Sequence, residues 1–176
     1  MDLQYPVDAQ LSGVDCINNG DADTSGWGLY VYGSEDSRAV FSNCRINDNH
    51  DGAYLNQVTA ENLTLHNTTI EDNHFHGLHL ERSDAELSPQ TMGSRWKLAG
   101  NGYGVTAYRG KTLIDGITLS GSRLWAAYLL YGEVTIRNSS FIDNANGVWL
   151  HHNKSATITN SHFDDNTSYG LAVAAN

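Results

Sequence analysis

The stretch Asn138-Ser-Ser-Phe141-Ile-Asp-Asn144-Ala-Asn-Gly147-Val-Trp-Leu150 decides the fold. An Asn is followed three residues on by an apolar anchor, then by a second Asn, then by Gly and an apolar–x–apolar run. The same order returns as Asn160…Phe163…Asn166…Gly170-Leu-Ala-Val173, as Asn67…Ile70…Asn73…Gly77-Leu-His-Leu80 and as Asn43…Ile46…Asn49…Gly52-Ala-Tyr-Leu55. Self-similarity at this period marks a repeat architecture.

Working outward, the anchors are Ile17, Ile46, Ile70, Leu98, Leu119, Phe141 and Phe163, spaced by 29, 24, 28, 21, 22 and 22 residues, so seven units cover nearly the whole chain. Each unit holds three short alternating pieces: one after the Gly, one before the first Asn, and one carrying the anchor. Alternation gives each piece an inward and an outward face. No stretch has a helical apolar period long enough for βαβ crossovers. Units this short bury a face only by stacking. The pattern predicts an all-β, right-handed parallel β-helix of about seven rungs with three strands per rung. A sandwich is the runner-up, but its strands have no reason to repeat one motif in phase. Both Asn columns are expected to hydrogen-bond along the stack at two corners. The Gly is expected to supply positive φ or close packing.

Composition agrees. Hydrophobic residues make up 40 %, enough for a packed core, and 17 Gly with only 2 Pro suit a chain rich in strands and turns. A net charge of −10 argues against a nucleic-acid partner, which needs a basic face. No apolar run is long enough to span a membrane, and no signal peptide is visible. Cys16 and Cys44 precede the anchors of neighbouring units at different offsets, which leaves open a bridge or two thiols.

The motif resembles the right-handed parallel β-helix superfamily of pectate lyases, polygalacturonases, alginate epimerases, phage tailspikes and autotransporter passengers. That resemblance implies an extracellular or cell-surface location and a polysaccharide or glycan partner. It is specific for fold and weak for function, because this fold hosts many activities. The chain reads as a single domain, 1–176, forming part of a longer β-helix or meeting an end-to-end or capping partner. Tyr5-Pro6-Val7 is a candidate shield for one end. Residues 81–95 are expected to project as a loop, and residues 20–26 lengthen the first unit.

The outward positions after the Gly form two columns. One reads Tyr30, Tyr54, His79, Thr106, Tyr128, Trp149, Ala172; the other reads Tyr32, Asn56, Glu81, Tyr108, Leu130, His151, Ala174. Flat rings interspersed with hydrogen-bonding groups suit a sugar chain. The leading reading is therefore a carbohydrate-binding or adhesive β-helix module, with Tyr30, Tyr32, Tyr54, Tyr128, Trp149 and Arg82 as the candidate substrate-binding residues. The competing reading is that aromatic cross-strand pairs merely stabilise the sheet. For a lyase or epimerase acting on an acidic glycan, His79, Glu81, Tyr108, Arg109 and His151 are the candidate catalytic groups. A purely structural rod is the third reading. No cofactor motif is present. Asp48, Asp72, Asp143 and Asp165 fall in one column whose oxygens suit Ca²⁺, although turn aspartates bonding their own backbone are commoner. His50, His74, His76 and His79 lie close enough in sequence to suggest zinc or copper, without a supporting Cys ligand.

Overall fold

The computed structural model describes residues 8–20 and 23–174, the side chains of 35–36 and 60–62 excepted. Tyr5-Pro6-Val7 and the last two residues lie outside that range. The strands are numbered β1 to β19 along the chain and pair in parallel into three sheets. Sheet A holds β1 (Asp8–Ser12), β3 (Trp27–Ser42), β5 (Asp51–His66), β7 (His76–Glu81), β10 (Tyr103–Tyr108), β13 (Trp125–Leu130), β16 (Asn146–His151) and β19 (Tyr169–Ala174). Sheet B stacks β2 (Asp15–Ile17), β4 (Arg45–Asn47), β6 (Thr69–Glu71), β9 (Lys97–Ala99), β12 (Thr118–Ser120), β15 (Ser140–Ile142) and β18 (His162–Asp164). Sheet C holds β8 (Ala85–Leu87), β11 (Lys111–Asp115), β14 (Glu133–Arg137) and β17 (Ser155–Thr159). The chain is a right-handed parallel β-helix of about six turns with three strands per rung. β3 and β5 run on through the corner between sheets A and C, with shifts of register between Tyr32 and Ser37 and between Ser37 and Ala39.

Alternation closes the core. Leu78 and Leu80 point inward and are fully buried, as are Leu55, Leu129 and Ile136 from other rungs. Phe141 stacks on Phe163 one rung on, with ring centroids 5.2 Å apart. The anchors align in sheet B as Ile46↔Ile70↔Leu98 and Leu119↔Phe141↔Phe163. In the first unit the anchor is Cys16, paired with Ile46, and not Ile17. Cys44 lies two positions earlier in the rung, buried, and both cysteines are free.

The two Asn columns do different work. Asn19, Asn49, Asn73, Asn101, Asn144 and Asn166 form the ladder. The Asn73 backbone N–H and Nδ2 donate to Asn101 Oδ1 at 3.0 and 2.9 Å, and Asn73 Nδ2 also donates to the Ile46 carbonyl at 2.9 Å. Asn144 repeats this with Asn166 Oδ1 and the Leu119 carbonyl. The other column, expected to hydrogen-bond in the same way, instead takes left-handed backbone: Asn43, Asn67, Asn138 and Asn160 have φ of 54°, 51°, 51° and 48°. Its side chains do not form an Asn–Asn ladder: Asn67 reaches Asn43 only at 3.5 Å, while Asn67 Oδ1 accepts from the Ser94 and Arg95 backbone N–H groups at 3.2 and 3.1 Å and Asn138 Nδ2 donates to Asp115 at 3.0 Å. Asn tolerates this region because its short polar side chain bonds locally. The repeat glycines serve close packing: a Cβ on Gly52 would meet the Gly77 carbonyl at 2.3 Å and the Asn73 amide at 2.9 Å.

Residues 81–95 do not form a projecting loop. Ala85–Leu87 is a regular strand of sheet C with Ala85 and Leu87 buried. The extra length is confined to α1 (Pro89–Met92), capped by Ser88, and the turn after it, with Met92 buried. Among the described residues, no helix is long and apolar enough to cross a membrane.

Candidate functional site

Sheet A presents its outward face as a ladder of side chains in register. The register is Tyr30↔Tyr54↔His79↔Thr106↔Tyr128↔Trp149↔Ala172 in one column and Tyr32↔Asn56↔Glu81↔Tyr108↔Leu130↔His151↔Ala174 in the next. A third aromatic column joins them: Trp27, Asp51, His76, Tyr103, Trp125, Asn146 and Tyr169, the residue before each repeat Gly or its Ala126 counterpart. Sequence reasoning missed this column. Counting by twos from Tyr30 lands on Gly28, yet the Trp27 ring lies 6.2 Å from Tyr30 and 5.0 Å from Tyr54. At this point of the rung, residues three apart share the face. The signal was available as the residue preceding every glycine.

The first half of the face centres on Asp51, which is only 5 % exposed. Its two carboxylate oxygens accept from His50 Nδ1 and His76 Nδ1, each at 2.7 Å. Burial works to raise the Asp51 carboxyl, but the hydrogen bonds from His76 and His50 outweigh it and hold it below the usual range. Around this knot, His76 stacks between Trp27 and Tyr103 at 6.3 and 5.4 Å. His79 packs at 4.7 Å from His76 and 4.9 Å from Tyr54. Burial and neighbouring His76 push His79 down to about 4. Tyr30 and Tyr54 stack face to face at 4.8 Å, while Tyr30 remains 55 % and Tyr32 46 % exposed.

In the second half, Trp149 meets Trp125 at 5.0 Å and Tyr128 at 5.3 Å, and Trp125 stacks on Tyr169 at 6.1 Å. Three ring nitrogens here, Trp149 Nε1, His151 Nδ1 and His152 Nδ1, are buried without a partner. Between the halves sits Thr106, 6 % exposed, its hydroxyl also unpartnered.

The candidate substrate-binding residues therefore share one face, with Arg82 at its edge. The candidate catalytic set is gathered only in part. His79, Glu81, Tyr108 and Arg109 occupy adjacent rungs, and the Arg109 guanidinium lies over the Tyr108 ring at 5.1 Å. His151 sits three rungs from Glu81, roughly 14 Å along the stack at ~4.8 Å per rung. Burial raises the Glu81 carboxyl, against the pull of Arg82 and Arg109.

The aspartate column has a backbone explanation. Asp48, Asp72, Asp143 and Asp165 have φ of 57°, 54°, 54° and 52°, and the same column is completed by Gly100 and Gly121. The groove beside Asp48 and Asp72 is lined by Arg123, whose guanidinium donates to the carbonyls of Asn73 at 2.8 Å, His74 at 3.1 Å and Gly100. A resident cation disfavours a second one there.

One family model matches this chain, over residues 7–176, and is described as Periplasmic copper-binding protein (NosD). No curated protein and no solved structure matches. The described residues do not fit a ready-made copper centre. No group of three or more His, Cys, Asp or Glu side chains is gathered to hold a metal ion. His50 and His76 spend Nδ1 on Asp51, Cys44 is buried with its thiol on the Leu11 and Ser42 carbonyls, and Met92 is in the core. The soft ligands that favour copper are thus dispersed.

Proposed function

The chain belongs to the NosD family, and from that premise and the face just described we propose that it is a carbohydrate-binding β-helix module working on the extracytoplasmic side. One observation carries this reading: rings line the outward side of sheet A in every rung from Trp27 to Tyr169, although the core inside the prism is already closed. Rings that the core does not need offer flat apolar surfaces to sugar faces. Asn56 and Glu81 supply hydrogen-bonding groups alongside them. The ligand is an extended glycan, because the site is a stripe along the stack and not an enclosed pocket.

Binding takes precedence over cleavage for a chemical reason. A lyase or epimerase needs a base matched to its working pH. His79 at about 4 is a weak base, and His151 stands rungs away from the Arg109 cation. Incubation with uronate polymers, read as absorbance of an unsaturated product, is expected to give no signal. The binding reading is tested on a glycan array with the wild-type chain, Trp149→Ala and Tyr54→Ala. Retention of at least one glycan class by the wild type, weakened in both variants, is expected. Equal retention by all three proteins would remove the aromatic face from the account.

A further inference from the structure

The three corners of the prism differ in the residues that take positive φ. Between sheets C and B these are Asn43, Asn67, Asn138 and Asn160 together with glycines. Between sheets B and A they are Asn18, Asp48, Asp72, Asp143 and Asp165, again with glycines. Between sheets A and C they are Gln57, Arg82, Arg109, Tyr131 and His152, with φ of 56°, 48°, 66°, 58° and 51°. Left-handed backbone places Cβ against the following carbonyl, and long or aromatic residues lack the local hydrogen bond that lets Asn and Asp tolerate it.

The backbone itself gives no reason for this choice. The corner N–H groups bond onward to the next rung, Arg82 to the Tyr108 carbonyl at 2.9 Å, Arg109 to Leu130 at 2.8 Å and Tyr131 to His151 at 3.0 Å. Asn or Gly would make the same bonds with less strain. What distinguishes the third corner is its place: it borders the column Glu81, Tyr108, Leu130, His151 on the edge of the aromatic face. Gln57 and Arg82 also line a groove of about 270 Å³ there, with Thr59 and Asp84.

Two cations follow Gln57 in the row. Arg82 and Arg109 sit on neighbouring rungs, ~4.8 Å apart along the stack, and both are exposed. The Glu81 carboxylate forms an ion pair with Arg82 Nε at 3.6 Å, too long for a hydrogen bond, so the guanidinium N–H donors are not spent on it. Asp84 spends an oxygen on the Lys111 backbone N–H at 2.7 Å. Beyond the arginines, Tyr131 stacks on His152 with centroids 5.7 Å apart. Two arginines face the one Glu81 carboxylate here, so in a chain of net charge −10 this edge beside rings is a local exception.

From this contrast we infer that the third corner is the specificity-determining edge of the glycan face: Arg82 and Arg109 take anionic substituents, carboxylate or sulfate groups, on the bound chain. The inference rests on the carbohydrate-binding reading and adds the charge class of the ligand. Guanidinium groups suit such oxyanions because their N–H donors form a planar fork. The backbone strain is then the cost of holding those side chains at the edge of the stripe.

The test is the double variant Arg82→Asn/Arg109→Asn, which places at this corner the residue that the other corners use. Melting temperature and retention by a uronate polymer, a sulfated polymer and a neutral β-glucan are measured together at low salt. The variant is expected to melt at or above the wild-type temperature. Its affinity for the anionic polymers is expected to fall about a hundredfold, the scale of one charge-assisted hydrogen bond lost at each arginine, and by far more than its affinity for the neutral glucan. A lower melting temperature, or a parallel loss for neutral and anionic polymers, would overturn the inference. Wild-type retention of the neutral glucan alone would overturn it while leaving the carbohydrate reading in place. Retention of no polymer by the wild type would end both.

Discussion

Asn73 has no solvent exposure, and its amide serves three rungs. Oδ1 accepts from the Asn49 backbone N–H and Nδ2, both at 3.0 Å, while Nδ2 donates to Ile46 below and Asn101 above. Asn73→Ala leaves the Asn49 N–H and the Ile46 carbonyl buried without these partners. At about 1–3 kcal/mol for each stranded group, urea denaturation is expected to show a loss of about 3 kcal/mol or more. His79 gives a prediction of a different kind. Its folded pKa of about 4 lies below the ordinary value of 6.5, so the unfolded chain binds this proton first as pH falls. Stability is therefore unaffected by His79 above pH 6.5 and declines between 6.5 and 4 by up to about 1.4 kcal/mol per pH unit. Asp51 has the same sign in a lower window: its lowered pKa supports the fold above its ordinary value of 3.8, and that support is lost as pH falls below it. Chemical denaturation across pH should show His79→Gln losing the slope between 6.5 and 4 relative to wild type; identical pH profiles would contradict the burial of a neutral imidazole.

Among the elements, the ladder is interrupted once. Position 122 holds Ser where its neighbours hold Asn, and the Ser122 hydroxyl is buried with no partner, although its N–H still donates to Asn144 Oδ1 at 2.9 Å. Gly104 lies against Ser122 as Gly28, Gly52 and Gly77 lie against Asn49, Asn73 and Asn101, so the space that accommodates an amide is present. Ser122→Asn is expected to join the two halves of the ladder and add about 1 kcal/mol, read as a raised melting temperature. The strands themselves were legible because Gly followed by apolar–x–apolar recurs in phase, and both outward columns came out in the observed register. The third column, from Trp27 to Tyr169, was not legible because the bend at each Gly breaks the alternation by twos. The two Asn columns looked alike in sequence. What separates them is backbone conformation on one side and burial on the other, and neither is written in residue type. The first anchor slipped from Cys16 to Ile17 because Ile resembles the other anchors, whereas register follows the ladder starting at Asn19. Residues 81–95 read as a loop because Pro89 interrupts them, although Ala85 and Leu87 continue sheet C.

At the scale of the molecule, three sheets close one apolar prism, and the stack turns single outward residues into stripes. The columns of sheet A become a continuous aromatic face, and the third corner becomes its cationic edge. The fold was readable from the repeat because each unit buries its apolar face only by stacking on another. The chemistry was less readable because the site is spread over many rungs and no short motif fixes it. Histidines close in sequence looked like metal ligands, yet His50 and His76 converge on Asp51 and present no three-ligand group. Affinity electrophoresis tests glycan binding by the aromatic face, with wild-type and Trp149→Ala chains run through gels that contain a polysaccharide bound by the wild type on the array. The polymer is expected to slow the wild type and to slow Trp149→Ala much less, with equal mobilities in polymer-free gels. Equal retardation of the two chains, or no retardation of the wild type by any polymer, would contradict it.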